Sequence, residues 1–115
     1  MHPTLTTDIA SDFAERLADR LGDDLLRVSL FGSRARGEGK LRSDFDLMIV
    51  LRRVSGEQRD VVHGLATEVE LEHEYGIDLS TKITEEERFE RLRRSALPFW
   101  RHFARDEKVL WPRTS

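Results

Sequence analysis

Two aspartates one residue apart, Asp44 and Asp46, open an apolar run inside the stretch LFGSRARGEGKLRSDFDLMIV, Leu30 to Val50. In a strand, residues i and i+2 point to the same face. The spacing therefore sets two carboxylates side by side at the strand's first residues. Two anions this close repel and raise each other's pKa unless a cation lies between them. A hard divalent cation resolves the conflict, because magnesium commonly takes one or two protein carboxylates together with substrate phosphates and water. A third carboxylate, Asp78, follows Ile77 at the start of a later apolar run. If the two strands are neighbours, Asp78 completes a three-acid site. Three acids suffice for a two-metal arrangement, which stabilises an in-line phosphoryl displacement.

Upstream of the pair, Gly32 and Ser33 end the preceding apolar run. A strand running into a glycine and then a helix N-terminus presents backbone N–H groups to an anion. Glycine lets a phosphate approach the backbone closely, and Ser33 adds a hydroxyl donor. From Ser33 to Arg53 there are six cations (Arg34, Arg36, Lys40, Arg42, Arg52, Arg53) against three anions (Glu38, Asp44, Asp46). Cations beside a carboxylate cluster suit a substrate that carries several negative charges as well as metal, as a nucleoside triphosphate does. Each feature alone has a plain structural explanation: a strand end, a turn, a solvated cap. It is their combination that points to a site.

The elements that must position these residues follow from periodicity. Ile9, Phe13, Leu17 and Leu21 recur four apart, with Ala10 and Ala14 beside them, so a helix capped by Thr7 or Asp8 runs to Leu21. Gly22-Asp23-Asp24 stops it. LLRVSLF (Leu25 to Phe31) is a strand, and Ser33 could open a single helical turn after it. DFDLMIVL (Asp44 to Leu51) is apolar on both faces beyond the aspartates, the mark of a central strand with both faces covered. A helix follows from about Glu57 to Tyr75, although the alternation EVELEHEY in its second half would suit a strand. Gly76 ends it, and IDLSTKI (Ile77 to Ile83) is a strand. Thr84 and Glu87 have the spacing of a capping box, so a helix starts there. Another begins near Pro98, since proline is tolerated in a first turn. VLW near the end either adds an edge strand or packs down. The order α, β, β, α, β, α, α makes an α/β domain, a small sheet covered by helices.

The bulk composition fits that frame. The 115 residues are read as one domain, 38% hydrophobic and 36% charged, with net charge -3. The surface as a whole is no attractor for nucleic acid, and direct nucleic-acid binding is not expected. Cysteine is absent, which excludes disulfides and thiolate metal sites. No apolar run approaches the ~18 residues of a membrane span, and the N-terminal MHPTLTTDIA lacks the pattern of a secretory signal. The expected location is the cytoplasm. Neither an internal repeat nor a low-complexity segment is evident.

The spacing Gly32-Ser33, ten residues, Asp44-Phe45-Asp46 resembles the Gly-Ser-x10-Asp-x-Asp signature of DNA polymerase beta-like nucleotidyltransferases. GSRARG, SDFDL and the aromatic tail FWRHFARDEKVLW resemble the minimal nucleotidyltransferases (MNT) of that superfamily. The resemblance covers most of the chain and is strongest from Phe31 to Leu51. It implies a polymerase beta-like nucleotidyltransferase palm, a small mixed β-sheet flanked by helices. It implies that Asp44 and Asp46 bind Mg²⁺, with a two-metal site, and that Asp78 helps bind metal or activates the attacking hydroxyl. Gly32 and Ser33 match the phosphate-contacting pair, and Arg34, Arg42 and Ser43 are placed with them at the nucleotide. The family's reaction moves a nucleoside monophosphate from a triphosphate, here ATP, to a hydroxyl. Members of this size resemble antitoxins of HEPN-domain toxins, some of which AMPylate a tyrosine of the toxin. Larger relatives carry an extra helical domain for which this chain has no room, so a partner protein is expected to complete the site.

Other features read more simply. His2, His63, His73 and His102 lack metal-ligand spacing. TEEERFERLRR carries acids early and arginines late, as a solvated helix with a favourable macrodipole does. Trp100, Phe103 and Trp111 suit core packing, or alternatively a partner-facing patch. Two functional classes stay open on sequence: an adenylyltransferase acting on a partner protein, and an antitoxin that masks its toxin without chemistry. A small-molecule nucleotidyltransferase of the antibiotic-modifying kind is disfavoured by the missing second domain.

Overall fold

The computed structural model describes residues 6–32, 34–36 and 44–112. The first helix, α1, spans Thr6–Leu21 and is followed by a 3-10 turn, Gly22–Asp24. Strands β1 (Leu25–Phe31) and β2 (Asp44–Leu51), helix α2 (Gly56–Glu72), strand β3 (Asp78–Glu85), helices α3 (Glu86–Leu92) and α4 (Pro98–Asp106), and strand β4 (Lys108–Trp111) complete the order. The sheet order is β3-β2-β1-β4. β1 pairs antiparallel with both β2 and β4, whereas β2 and β3 run parallel. The sheet is therefore mixed, with β2 central as its apolar faces require, and VLW forms an edge strand.

The two faces of β2 are buried against different helices. Phe45, Leu47, Ile49 and Leu51 join Ile9, Phe13 and Leu17 of α1 and Val62, Leu65 and Val69 of α2 in one cluster. Met48 and Val50, on the side of Asp46, join Phe31, Phe89 of α3, and Trp100 and Phe103 of α4 in another. Trp100 and Phe103 are thus core residues, and Trp111 is half-buried against the first cluster. Phe13, Phe45 and Phe89 are among the largest fully buried side chains. Truncating such a phenylalanine to alanine typically costs about 3–5 kcal/mol.

Several boundaries differ from the sequence expectation, each for a local reason. α1 is already helical at Thr6, so Thr7 and Asp8 lie within its first turn rather than capping it, and Asp8 there complements the helix dipole. α2 is capped by an unforeseen box in which Ser55 and Gln58 each accept from the other's backbone N–H. Its second half is helix, with Val69 buried, and the strand alternative fails. The helix ends at Glu72, not Tyr75, because Glu74 and Tyr75 take φ of 54° and 57°, the left-handed region that terminates a helix. The expected capping box of Thr84 and Glu87 does not form. β3 continues in register with β2 as far as Leu51 opposite Glu85, holding Thr84 extended. The Thr84 hydroxyl instead lies 3.4 Å from Met48 Sδ.

Candidate active site

Register brings the acids together. Asp44 is the direct parallel partner of Asp78, and Asp46 that of Ser80. Side chains at partnered positions share a face, and neighbouring strands lie about 4.8 Å apart. Asp44, Asp46 and Asp78 therefore occupy one corner of the face that carries α3 and α4. The helices do not cover this corner: Asp44, Asp78, Ser80 and Lys82 are exposed. The result is an open shelf at the start of β2 and β3. Among the described residues no three ligand-type side chains converge into a ready metal cage. The donor set, two adjacent carboxylates with a third on the next strand, fits an ion whose shell is completed by substrate phosphates and water.

Asp46 is the most confined of the three. Its partner across β1 is Phe31, buried on the same face. Burial raises its pKa first, the charge of Asp44 raises it further, and Lys82 opposes both. Lys82 lies on the same face of β3, opposite Met48 in the register and hence diagonal to Asp46.

Gly32 closes the shelf from the β1 side. Its φ is +76°, a conformation that L side chains rarely adopt. A Cβ there would stand 2.5 Å from Asp46 Oδ2, inside van der Waals contact. Both backbone and space therefore demand glycine, and the glycine backbone borders the carboxylate directly. The Arg36 N–H then donates to the Gly32 carbonyl over 3.3 Å, closing a single turn. Arg36 reaches α4 as well, pairing with Asp106 at 2.5 Å. Arg105 binds the same carboxylate, and the two guanidiniums, Arg105 first, hold Asp106 below its ordinary pKa. This bridge fixes the end of α4 to the turn that follows Gly32.

Of the sequence candidates, Gly32, Asp44, Asp46 and Asp78 are gathered at the shelf. The guanidinium of Arg34 lies 4.5 Å from the ring centre of Phe45, which turns to the opposite face of the sheet from the aspartates. Ser33, Arg42 and Ser43 lie outside the described residues, as do Glu38 and Lys40. Sequence reasoning passed over Lys82, although its period-two spacing from Asp78 and Ser80 on one strand was a usable signal. It also passed over Phe99, which stands one residue outside the buried pair of α4 and gives no pattern of its own.

The family profile described as nucleotidyltransferase domain matches residues 10–101, which includes Gly32 and all three aspartates. The chain belongs to the nucleotidyltransferase domain family. A candidate protein adenylyltransferase from Methanocaldococcus jannaschii is 31% identical over 87 residues, 74% of this chain and 58% of the relative. The chain thus spans less than two thirds of that curated relative's length. Among solved structures, a candidate nucleotidyltransferase from Sulfolobus solfataricus matches with a TM-score of 0.59 and 21% identity, over 93% of this chain and 80% of that one. A toxin-antitoxin structure with AMP-PNP matches with a TM-score of 0.56 and 19% identity, over 90% of this chain and 74% of that one. These structures share the nucleotidyltransferase fold of α1–β4, and fold alone does not fix function.

Proposed function

We propose that this nucleotidyltransferase-family chain transfers AMP from ATP to a hydroxyl of a partner protein, a tyrosine of a HEPN-type toxin, and so acts as its antitoxin. The observation that carries the reading is the register that sets Asp44 beside Asp78, with Asp46 on the same face against Gly32. The curated relative named as a candidate protein adenylyltransferase supports the reaction class. The toxin-antitoxin structure with AMP-PNP supports the setting, as a protein of the same fold.

On this reading Asp44 and Asp46 would hold Mg²⁺, and Asp78, the register partner of Asp44, would join them at a second ion. Bound metal supplies charge neutralisation for the triphosphate. The Gly32 turn and Ser33 present donors to its phosphates, with Arg34, Arg42 and Ser43 assigned to the same nucleotide. The acceptor oxygen forms a bond to the α-phosphorus, the bond from that phosphorus to the bridging oxygen breaks, and pyrophosphate leaves with the electron pair. Asp78 accepts the hydroxyl proton or orients the hydroxyl. Little covalent work falls to the protein, so positioning and electrostatics carry the catalysis.

The test is label transfer from ATP labelled at the α-phosphorus to the co-purified partner, with wild type, Asp44→Asn and Asp46→Asn. Both variants keep the fold and lose transfer, because each removes a metal ligand while relieving a repulsion. Undiminished transfer by folded variants would overturn the assignment of the pair.

A further inference from the structure

The open shelf has a wall that the acid chemistry does not use. Phe99, in the first turn of α4, is 40% exposed. Its neighbours Trp100 and Phe103 are buried in the core, and Phe99 rests on them, at 5.1 Å and 6.5 Å between ring centroids, with part of its own ring left in solvent. The ring meets Phe31 edge-on at 5.8 Å between centroids, and Phe31 is both the residue before Gly32 and the cross-strand partner of Asp46. On its other side the Lys82 ammonium lies 5.6 Å from the ring centre, and Lys82 is the cation that opposes the raised pKa of Asp46. Phe99 also lines two recesses, one beside the Gly32 turn and one that runs from Lys82 along β3 to Thr84 and α3. One, of about 230 Å³, includes Gly32 and Arg36. The other, of about 380 Å³, includes Lys82, Met48 and Trp100. An exposed aromatic ring thus stands between the Gly32 turn and Lys82, the two groups that approach Asp46.

We infer that Phe99 is the stacking platform for the nucleobase and that Lys82 is a phosphate contact of the same nucleotide. The inference rests on the nucleotidyltransferase reading and extends it to the nucleoside half of the substrate. A cation over an exposed ring is a weak contact, easily exchanged. A base offers its own π face to the ring, a contact indifferent to base identity. Its arrival frees the Lys82 ammonium to turn toward the triphosphate, whose charge exceeds anything the ring presents. A base on Phe99 stands next to the Gly32 turn on one side and Lys82 on the other, so its phosphates reach the corner of Asp46 from a short distance. The Arg36–Asp106 bridge fixes α4 to that turn, so platform and phosphate site move as one body.

Calorimetric titration separates the two contacts, using ATP and inorganic tripolyphosphate as probes, each with Mg²⁺. Phe99→Ala weakens ATP binding about tenfold, within the range of one stacked base, and leaves tripolyphosphate binding within about twofold of wild type. Phe99→Trp restores ATP affinity, and Lys82→Met weakens both ligands. Melting curves confirm that each variant is folded, and Phe99→Leu, which keeps apolar bulk without a ring, behaves as Phe99→Ala does. Equal ATP affinity in wild type and Phe99→Ala overturns the inference and assigns the ring to another surface, such as the acceptor's. Equal losses for ATP and tripolyphosphate in Phe99→Ala also overturn it, because the effect then does not come from the base. Failure of the wild type to bind ATP at all overturns the nucleotidyltransferase reading itself, a distinct result.

Discussion

Asp46 sits where burial and like charge act against its ionised form, and folding stability must record that. Its folded pKa is raised, first by burial and then by Asp44, with Lys82 opposing. Between the ordinary aspartate value and the raised one, the folded state binds more protons than the unfolded state. Stability therefore falls as pH rises through that window, and the penalty is complete above the folded pKa. Asp46→Asn removes it. In metal-free buffer the variant is more stable than wild type near neutral pH, and the gain shrinks as pH falls from the raised value to the ordinary aspartate value, below which it is gone. Urea midpoints across a pH series check this, and a gain independent of pH would mean that the amide merely packs better. At this scale the sequence was informative where chemistry depends on local spacing. Asp44 and Asp46 share a face by the two-residue period alone. The contact between Gly32 and Asp46, and the approach of Lys82 to Asp46, depend on strand pairing and were not legible. Phe99 reaches the shelf only because α4 folds back over β1 and β3.

The elements hold the site through contacts at their ends. Among the described residues β3 is an edge strand, with one side of its backbone free of a strand partner. The Leu79 N–H, next to Asp78, is satisfied instead by the Glu70 carboxylate of α2 at 2.7 Å. Nearby, Arg16 of α1 forms a two-pronged bond to Glu72 at 2.7 and 2.8 Å, and the guanidinium holds that carboxyl below its ordinary pKa. The end of α2 is thus tied to β3 on one side and to α1 on the other. Glu70→Ala releases the start of β3. Stability falls by about 1–2 kcal/mol, the worth of a hydrogen bond to a charged group moderated by water at the edge. Transfer falls as Asp78 loses its fixed position, while nucleotide affinity changes little, since Gly32 and Asp46 belong to β1 and β2 and Lys82 lies further along β3, held in register opposite Met48. Denaturation and single-turnover transfer measured on one preparation separate the effects; unchanged stability and transfer would show the bond to be incidental. The helices and strands themselves were readable from periodicity. The errors lay at ends such as Thr84 and Tyr75, where sheet register and left-handed residues decide, and neither has a periodic signature.

Across the whole molecule the two faces of the sheet are covered unequally. α1 and α2 bury one face behind the cluster of Phe13, Leu17, Phe45 and Val69, whereas α3 and α4 leave the aspartate corner of the other face exposed. Among the described residues no helix is long and apolar enough to cross a membrane. On the proposed reading the acceptor hydroxyl approaches over that open corner, and Asp78, at its outer edge on β3, is the carboxylate that meets it first. This placement separates chemistry from binding. Asp78→Asn keeps size and polarity at an exposed position, so the fold and the partner surface persist. An amide cannot take the hydroxyl proton, and transfer falls by about 10²-fold or more, the usual contribution of a positioned base. Co-expression with the toxin, followed by intact-mass measurement, reads both consequences. Wild type adds one or more nucleoside monophosphates to the toxin and protects the cell. Asp78→Asn still co-purifies with the toxin, leaves its mass unchanged and fails to protect. Protection by Asp78→Asn without any mass increase would reject modification as the means of neutralisation and leave masking by binding, because the only change is the proton acceptor at the edge of the shelf.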